Sequence, residues 1–297
     1  MNEPLDAEIS AALDQVGFCV RSWRRISTIR AAESGRSVFR VDLEGGRILK
    51  ARRLENEATA RQLFELRQEV PAGFAPVLYR HDAVLLEAWI EGEALGHGAP
   101  ATAHLIEAAT LLARLHGAPS TRGRPLPATQ STTAEREAAE HARSCLAAGG
   151  HLRPGENDRV AAALARLDPQ RALVGLVHTD FCGENMVIDP DGRLHVIDNE
   201  RMGVGAFGLD VARTWYRWML PPAAWECFRV SYRARMPHDD SLRHFAFWAL
   251  VATLKSAALL SRLDTVRAHA PIECLRKLLP ELEPGTMGVG QAERSRG

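Results

Sequence analysis

One segment constrains this chain more than any other: "VHTDFCGENMVIDPDGRLHVIDNE", residues 177–200. Two short apolar runs, Met186-Val187-Ile188 and Leu194-His195-Val196-Ile197, flank Asp189-Pro190-Asp191-Gly192. Proline presets one turn dihedral and glycine accepts a positive φ, so the pattern predicts two strands, 186–189 and 193–198, joined by a tight turn. The same segment carries four aspartates and two glutamates. A surface hairpin with solvated acids is one account of them. The other is a catalytic loop followed by a strand whose end holds a metal. His178, Asp180 and Asn185 form H-x-D-x-x-x-x-N, and Asp198 closes the second strand. A strand–turn–strand would return Asn185 and Asp198 to one edge.

Bulk properties exclude several classes. The 297 residues suffice for one large domain or two lobes, and 46% hydrophobic with 25% charged residues is ordinary for a globular chain. With 37 basic against 37 acidic residues, no basic field exists to attract nucleic acid. No apolar run reaches the roughly 18 residues of a membrane span, so no membrane insertion is expected. The start, "MNEPLDAEIS", lacks the apolar core of a signal peptide. Cys19, Cys145, Cys182, Cys227 and Cys274 form no C-x-x-C pair, which speaks against a zinc ribbon or a disulfide framework. The expectation is a soluble, reduced, cytoplasmic protein with no obligate protein partner evident.

Along the chain, residues 5–16 read as a helix, and "SVFRVDLEGGRILKA" alternates around Glu44-Gly45-Gly46 as a hairpin. Residues 53–70 read as an amphipathic helix ended by Pro71, Gly73 and Pro76, and "APVLYRHDAVLLEAWI" as two strands meeting near His81-Asp82. "EGEALGHGAP" reads as a linker, followed by helices at 101–117, 133–148 and 157–167, with "RPLPATQSTT" and "AAGGHLRPGEN" as loops. Beyond 207 the pattern is helical to about 282. This gives a nucleotide-binding lobe over 1–90, a helical catalytic and acceptor-binding lobe over 91–283, and a disordered tail over 284–297.

The opening segment meets the demands of phosphoryl transfer from ATP. A carboxylate must orient the acceptor hydroxyl and take its proton, and Asp180 is the candidate. Oxygen ligands must hold magnesium on the phosphates, and Asn185 with Asp198 fit. A solvated loop remains the competing account. Composition adds Lys50: only three of the 37 basic residues are lysines, Lys50, Lys255 and Lys277, so a lysine ending "GRILKA" suggests a need for a compact ammonium. A strand-end surface lysine is the plain alternative.

"HTDFCGEN", "VIDNE" and "GLDVART" together resemble the aminoglycoside phosphotransferase and choline-kinase-like family, over about residues 25–255. The resemblance implies an α+β, two-lobed protein-kinase-like fold: a small antiparallel sheet with one main helix, then a larger helical lobe. It implies Asp180 as the catalytic residue and Asn185 and Asp198 as magnesium ligands. Asp210 would hold the catalytic loop's backbone, and His178 would pack beneath that loop. Lys50 would contact the α- and β-phosphates of ATP, with GTP as the alternative donor. That lysine needs a carboxylate on the next helix; Glu55, Glu57 and Glu65 are available, and Glu57 is chosen because Glu57, Ala60 and Phe64 share a face. "SGRSVFRV", with Ser34, Gly35 and Ser37, resembles the loop over the phosphates. "LLEAWIEGEAL" resembles the hinge, where backbone near Glu87 and Trp89 would meet the base. Asn199 stands where the family has a bulky residue, which leaves open a metal role for Glu200. Cys182 has no evident base and reads as filler. Trp215, Tyr216 and Trp218 read as core, with an acceptor-lining ring as the other option.

The resemblance thus implies an ATP-dependent kinase acting on a hydroxyl of a small molecule, such as an aminoglycoside-type antibiotic or related metabolite, with antibiotic resistance as one outcome. For a cationic acceptor, Glu135, Glu137, Glu140, Asp239, Asp240 and Glu273 are candidate contacts. A kinase of cell-envelope saccharide or another macromolecule is the runner-up. Residues 199–209 are too few for the activation segment of a protein kinase. A pseudokinase ranks last, because the lysine, the aspartate and both metal ligands are present.

Overall fold

The structure, a computed structural model, describes residues 4–26, 36–96, 100–119, 125–263 and 265–282. Ser34, Gly35 and the tail from 284 lie outside the described residues. Contacts divide the chain into two compact units: residues 1–96 with 183–203, and residues 97–182 with 204–297.

The first unit is built on a five-stranded antiparallel sheet in the order β1-β2-β3-β5-β4. Its strands are β1 (Val20–Arg25), β2 (Ser37–Leu43), β3 (Ile48–Arg53), β4 (Val77–His81) and β5 (Val84–Ala88). Alternation directs Phe39, Val41, Leu49, Ala51, Val84 and Leu86 into one core with Ile9 and Leu13 of α1 (Ala7–Val16). Each such large side chain contributes about 1.5–3 kcal/mol of burial. Asp6 caps α1 and also accepts a hydrogen bond from the Ser37 hydroxyl, at 3.0 Å. Helix α2 (Glu57–Arg67) starts where the Asn56 side chain accepts from Thr59 N–H at 2.8 Å, and it buries Ala60, Leu63 and Arg67.

The anticipated hairpin forms as β9 (Met186–Ile188) and β10 (Leu194–Val196). Asp189 organises its turn: one carboxylate oxygen accepts from Asp191 and Arg193 N–H, the other contacts His195 Nε2 at 2.7 Å. Gly192 supplies the φ of 78° that closes the turn. The sequence reading put this hairpin in the helical lobe, with the boundary near residue 90. Here it belongs to the first unit, because β9 pairs with β6 (Glu93–Ala94) and Ala75 N–H donates to the Val196 carbonyl at 2.9 Å. Residues read as a linker therefore hold a strand. Gly92, just before β6, must be glycine: its φ is 151°, and a Cβ would sit 2.0 Å from the Ile188 carbonyl oxygen.

The second unit is mostly helical: α3 (Thr102–His116), α4 (Thr133–Ala148), α5 (Pro154–Leu167), α6 (Phe207–Trp218), α7 (Pro222–Arg235), α8 (Phe245–Leu263) and α9 (Thr265–Leu278). A small sheet orders β11 (Gly203–Ala206), β8 (Arg171–Val177) and β7 (Ala128–Ser131), three strands the sequence reading left as loop or unassigned. Helix α8 is long and apolar enough to cross a membrane by length and composition, with mean hydropathy 1.3. It is instead the central helix of this core: Phe247, Trp248, Leu250, Val251 and Leu254 are buried in the cluster shared with α4 and α9.

Candidate active site

In the first unit, Lys50 lies in the middle of β3, directly opposite Glu87 on β5. Its ammonium donates to Asp198 Oδ1 at 3.0 Å. Arg52, two residues on and therefore on the same face, donates to the same oxygen at 2.7 Å. Asp198 sits just past β10 in a left-handed conformation, φ 57° and ψ 48°. The Ile197 N–H donates to the Asn185 carbonyl at 2.8 Å, so the hairpin brings Asn185 and Asp198 to one edge. Burial opposes ionisation of Asp198, but Lys50 and Arg52 together hold its carboxyl well below the usual range. For Lys50, burial and the neighbouring Arg52 lower the ammonium pKa, against the pull of Glu87 and Asp198.

Asn185 and Asp198 are hard oxygen donors of the kind magnesium takes when nucleotide phosphates complete its shell. Lys50 and Arg52 both contact Oδ1 of Asp198, so Oδ2 is the oxygen a metal would meet. These residues fit a divalent cation. Among the described residues, no cluster of three His, Cys, Asp or Glu side chains offers a site of another kind.

A cleft of about 370 Å³ opens beside this edge, lined by residues that include Lys50, Ala88, Trp89, Val187, Ile197 and Asp198. Arg40 lies over the Trp89 ring, 5.0 Å from its centroid. Glu87 also borders the cleft, but its side chain is 1% exposed. Its carboxylate accepts from Arg52 Nε at 3.2 Å and from Arg67 Nη1 at 2.9 Å. Burial would raise its pKa, yet Arg67, Arg52 and Lys50 bring it down to about 2.

Glu57 is not brought to Lys50. It is half-exposed and pairs with Arg61 at 3.1 Å and Arg80 at 3.5 Å. The cause is helix phase: α2 begins at Glu57, and its buried stripe runs Ala60, Leu63, Arg67. Glu55 pairs with Arg36 at 2.6 Å. Ser37, expected in a loop over the phosphates, is buried at the start of β2 with its hydroxyl donated to Asp6. Glu200, whose metal role was open, pairs with Arg52. Sequence reasoning missed Arg52 and Arg67. The signal available for Arg52 was its strand period, two residues from Lys50.

In the second unit, the loop after β8 is organised by Asp210 on α6. Its carboxylate accepts from His178 N–H at 2.8 Å and Thr179 N–H at 2.7 Å. His116 Nε2 approaches the same group at 3.1 Å. Burial works against the charge on Asp210, while His116, His178 and these N–H donors hold its pKa below the ordinary value. His116 is fully buried, stacked on Phe207 at 4.3 Å, with Nδ1 2.7 Å from the Tyr232 hydroxyl, which donates to Asp239. His178 is also buried, and its Nδ1 accepts the Asp180 N–H at 3.3 Å. That leaves Nδ1 an acceptor facing the loop backbone, a packing position. Asp180 is part-exposed and receives Arg217 Nε on Oδ1 at 2.9 Å. Trp218 is buried against Phe228, 6.0 Å between centroids. Cys182 is buried as well, consistent with a packing side chain.

A lysine and an aspartate paired at a cleft in one unit, and an aspartate on a carboxylate-braced loop in the other, belong to the protein-kinase-like phosphotransferases. The sequence profile of the phosphotransferase enzyme family matches residues 25–269, and the chain belongs to that family. Its fold is similar to an aminoglycoside phosphotransferase from Alicyclobacillus acidocaldarius (16% identity, 95% of this chain and 96% of that one, TM-score 0.63). It is similar too to a choline kinase from Streptococcus pneumoniae (12% identity, 91% and 98% covered, TM-score 0.64). A macrolide 2'-phosphotransferase from Brachybacterium faecium gives 16% identity, 91% and 98% coverage and a TM-score of 0.65. A search of curated protein sequences gives no match. The chain is a kinase whose acceptor group is a hydroxyl, and the family supports a small-molecule acceptor.

Proposed function

We propose that this kinase uses ATP and magnesium to phosphorylate a hydroxyl of a small, hydroxylated metabolite or antibiotic. The observation that carries the reading is the joint grip of Lys50 and Arg52 on Asp198 at the mouth of the cleft. It sets an ammonium for phosphate oxygens beside a carboxylate for a cation. Asn185 and Asp198 would hold the metal, which when bound neutralises phosphate charge. Lys50 binds the phosphates of the donor, and backbone from Glu87 to Trp89 lies along the cleft for the base. Asp180 accepts the proton of the attacking hydroxyl. Catalysis is then chiefly positioning and charge stabilisation, and no covalent enzyme intermediate forms.

The acceptor reading is narrowed by where the acids are. Glu135 pairs with Lys255, Glu140 with Arg143, and Glu273 with Arg276, each at 2.9 Å. Asp239 is bound to Tyr232 and Ser241, and Asp240 lies 3.6 Å from His244. Beside Asp180 stands a cation, Arg217. These local pairings favour a hydroxylated metabolite over a polycationic aminoglycoside. The test is transfer from γ-labelled ATP into a metabolite extract and an antibiotic set, with wild type against Asp180→Asn. Product from wild type alone, with nucleotide binding intact in the variant, is the expected result. Equal product from both would refute the role of Asp180.

A further inference from the structure

We propose that Arg52, braced by Glu87 and Arg67, is a positioning residue for Asp198, and that Glu87, across from Lys50 on β5, stands in for the carboxylate expected on the helix. The inference rests on the kinase reading above.

Arg52 is 2% exposed, yet its guanidinium meets three carboxylates. Nε reaches Glu87 at 3.2 Å, Nη2 reaches Asp198 Oδ1 at 2.7 Å, and Nη1 pairs with Glu200. Only arginine's planar fork can serve three acceptors in this way. Glu87 is fixed from behind by Arg67 of α2, at 2.9 Å, and Arg67 also donates to the Ala75 carbonyl. Lys50, Arg52 and Arg67 thus balance Glu87, Asp198 and Glu200. The charges cancel, so Arg52, Arg67 and Glu87 can be buried behind the part-exposed Asp198 and Glu200.

Its geometry has a direction. Lys50 and Arg52 both hold Oδ1 of Asp198, which turns Oδ2 away from them. One carboxylate oxygen is committed to the protein and the other is left for a cation. Arg52 therefore acts through Asp198 and not on the nucleotide. A purely structural role is the weaker account, because buried ion networks gain little over apolar residues of similar size. The expected partner, Glu57, is occupied by Arg61 and Arg80 on the surface. The brace has moved from helix to strand: Glu87 stands on β5, directly across from Lys50.

The test compares binding of a non-hydrolysable ATP analogue with magnesium and with EDTA. One variant replaces the brace by apolar residues, Arg52→Met with Arg67→Met and Glu87→Leu, which should keep the fold. The second, Arg52→Lys, keeps the buried charge but cannot fork. Both should bind the analogue in EDTA within about twofold of wild type. Both should lose about 10–100-fold of the magnesium-dependent affinity, the range for groups that orient metal ligands. Either folded variant showing wild-type magnesium dependence overturns the proposal. A wild-type protein without magnesium-dependent binding would refute the kinase reading itself, and the inference with it.

Discussion

Asp210→Asn isolates the scaffold of the catalytic loop. The carboxylate now takes His178 N–H and His116 Nε2 on Oδ2, and Thr179 N–H on Oδ1. An amide offers one oxygen. Placed at Oδ2, it keeps two partners, but its NH2 then faces the Thr179 N–H, donor against donor. Placed at Oδ1, it loses both partners of Oδ2. The first choice removes one bond to a charged group, worth about 1.5–3 kcal/mol, and weakens the other two. A loss of about 2–4 kcal/mol follows for the second unit. Thr179 has φ 65°, a strained conformation for a β-branched residue. Freed from Asp210, it relaxes and carries Asp180 with it. Misplacement on the order of 1 Å costs about 10²-fold in rate. Urea unfolding should report the stability loss, and steady-state kinetics a fall in kcat with the nucleotide KM within about twofold. A variant with wild-type stability and kcat would refute the bracing role. Equal loss of nucleotide binding and turnover would indicate global unfolding instead.

Asp198→Ala should weaken nucleotide binding with magnesium present and leave binding in EDTA nearly unchanged; calorimetry in both buffers checks this, and equal loss in both would mean misfolding. Gly208→Ala should destabilise by about 1–3 kcal/mol, the usual range for overpacking, with melting temperature as the readout. A Cβ at Gly208 would lie 2.2 Å from Trp248 Nε1, and an unchanged melting temperature would contradict that contact. Acid should also weaken the first unit: Glu87 has a folded pKa of about 2, against about 4.3 unfolded, so about 3 kcal/mol is present above the unfolded value and is lost as pH falls toward the folded one. Urea midpoints that do not fall between about pH 5 and pH 3 would remove Glu87 from that account.

The hairpin was legible because its signals are local. Period-two apolar runs and a Pro-Asp-Gly turn fix 186–198 without help from the rest of the chain. Helix α4 was legible for the same reason, predicted over 133–148 and found at Thr133–Ala148. Strand β8, "RALVGLV", was missed because an apolar run without alternation has no period to read. Glu57 was chosen on a helical face whose phase depends on where Asn56 starts the helix. Arg52, Arg67 and the side-chain role of Glu87, which was named only for its backbone, could not be picked out by type, because charged residues belong on the surface unless paired. Their pairing is between β3, α2 and β5, and no spacing encodes it. The His116–Tyr232–Asp239 chain is hidden likewise: its members are 116 and 7 residues apart.

The two candidate carboxylates share one physical device. Asp198 is itself in the left-handed region, and Asp180 directly follows a residue that is, Thr179. Such conformations cost about 1–3 kcal/mol and persist only where the surroundings over-determine them. Here the surroundings are named. Lys50 and Arg52 fix Asp198 by its side chain, with Glu87 behind them. Asp210 fixes Thr179 by its backbone, with His116 and Tyr232 behind it. In each unit a buried carboxylate braces a strained turn, directly or through Arg52, and that turn carries the candidate acid. Surface substitutions near either acid should therefore matter less than changes at Glu87 and Asp210, which lie one layer deeper.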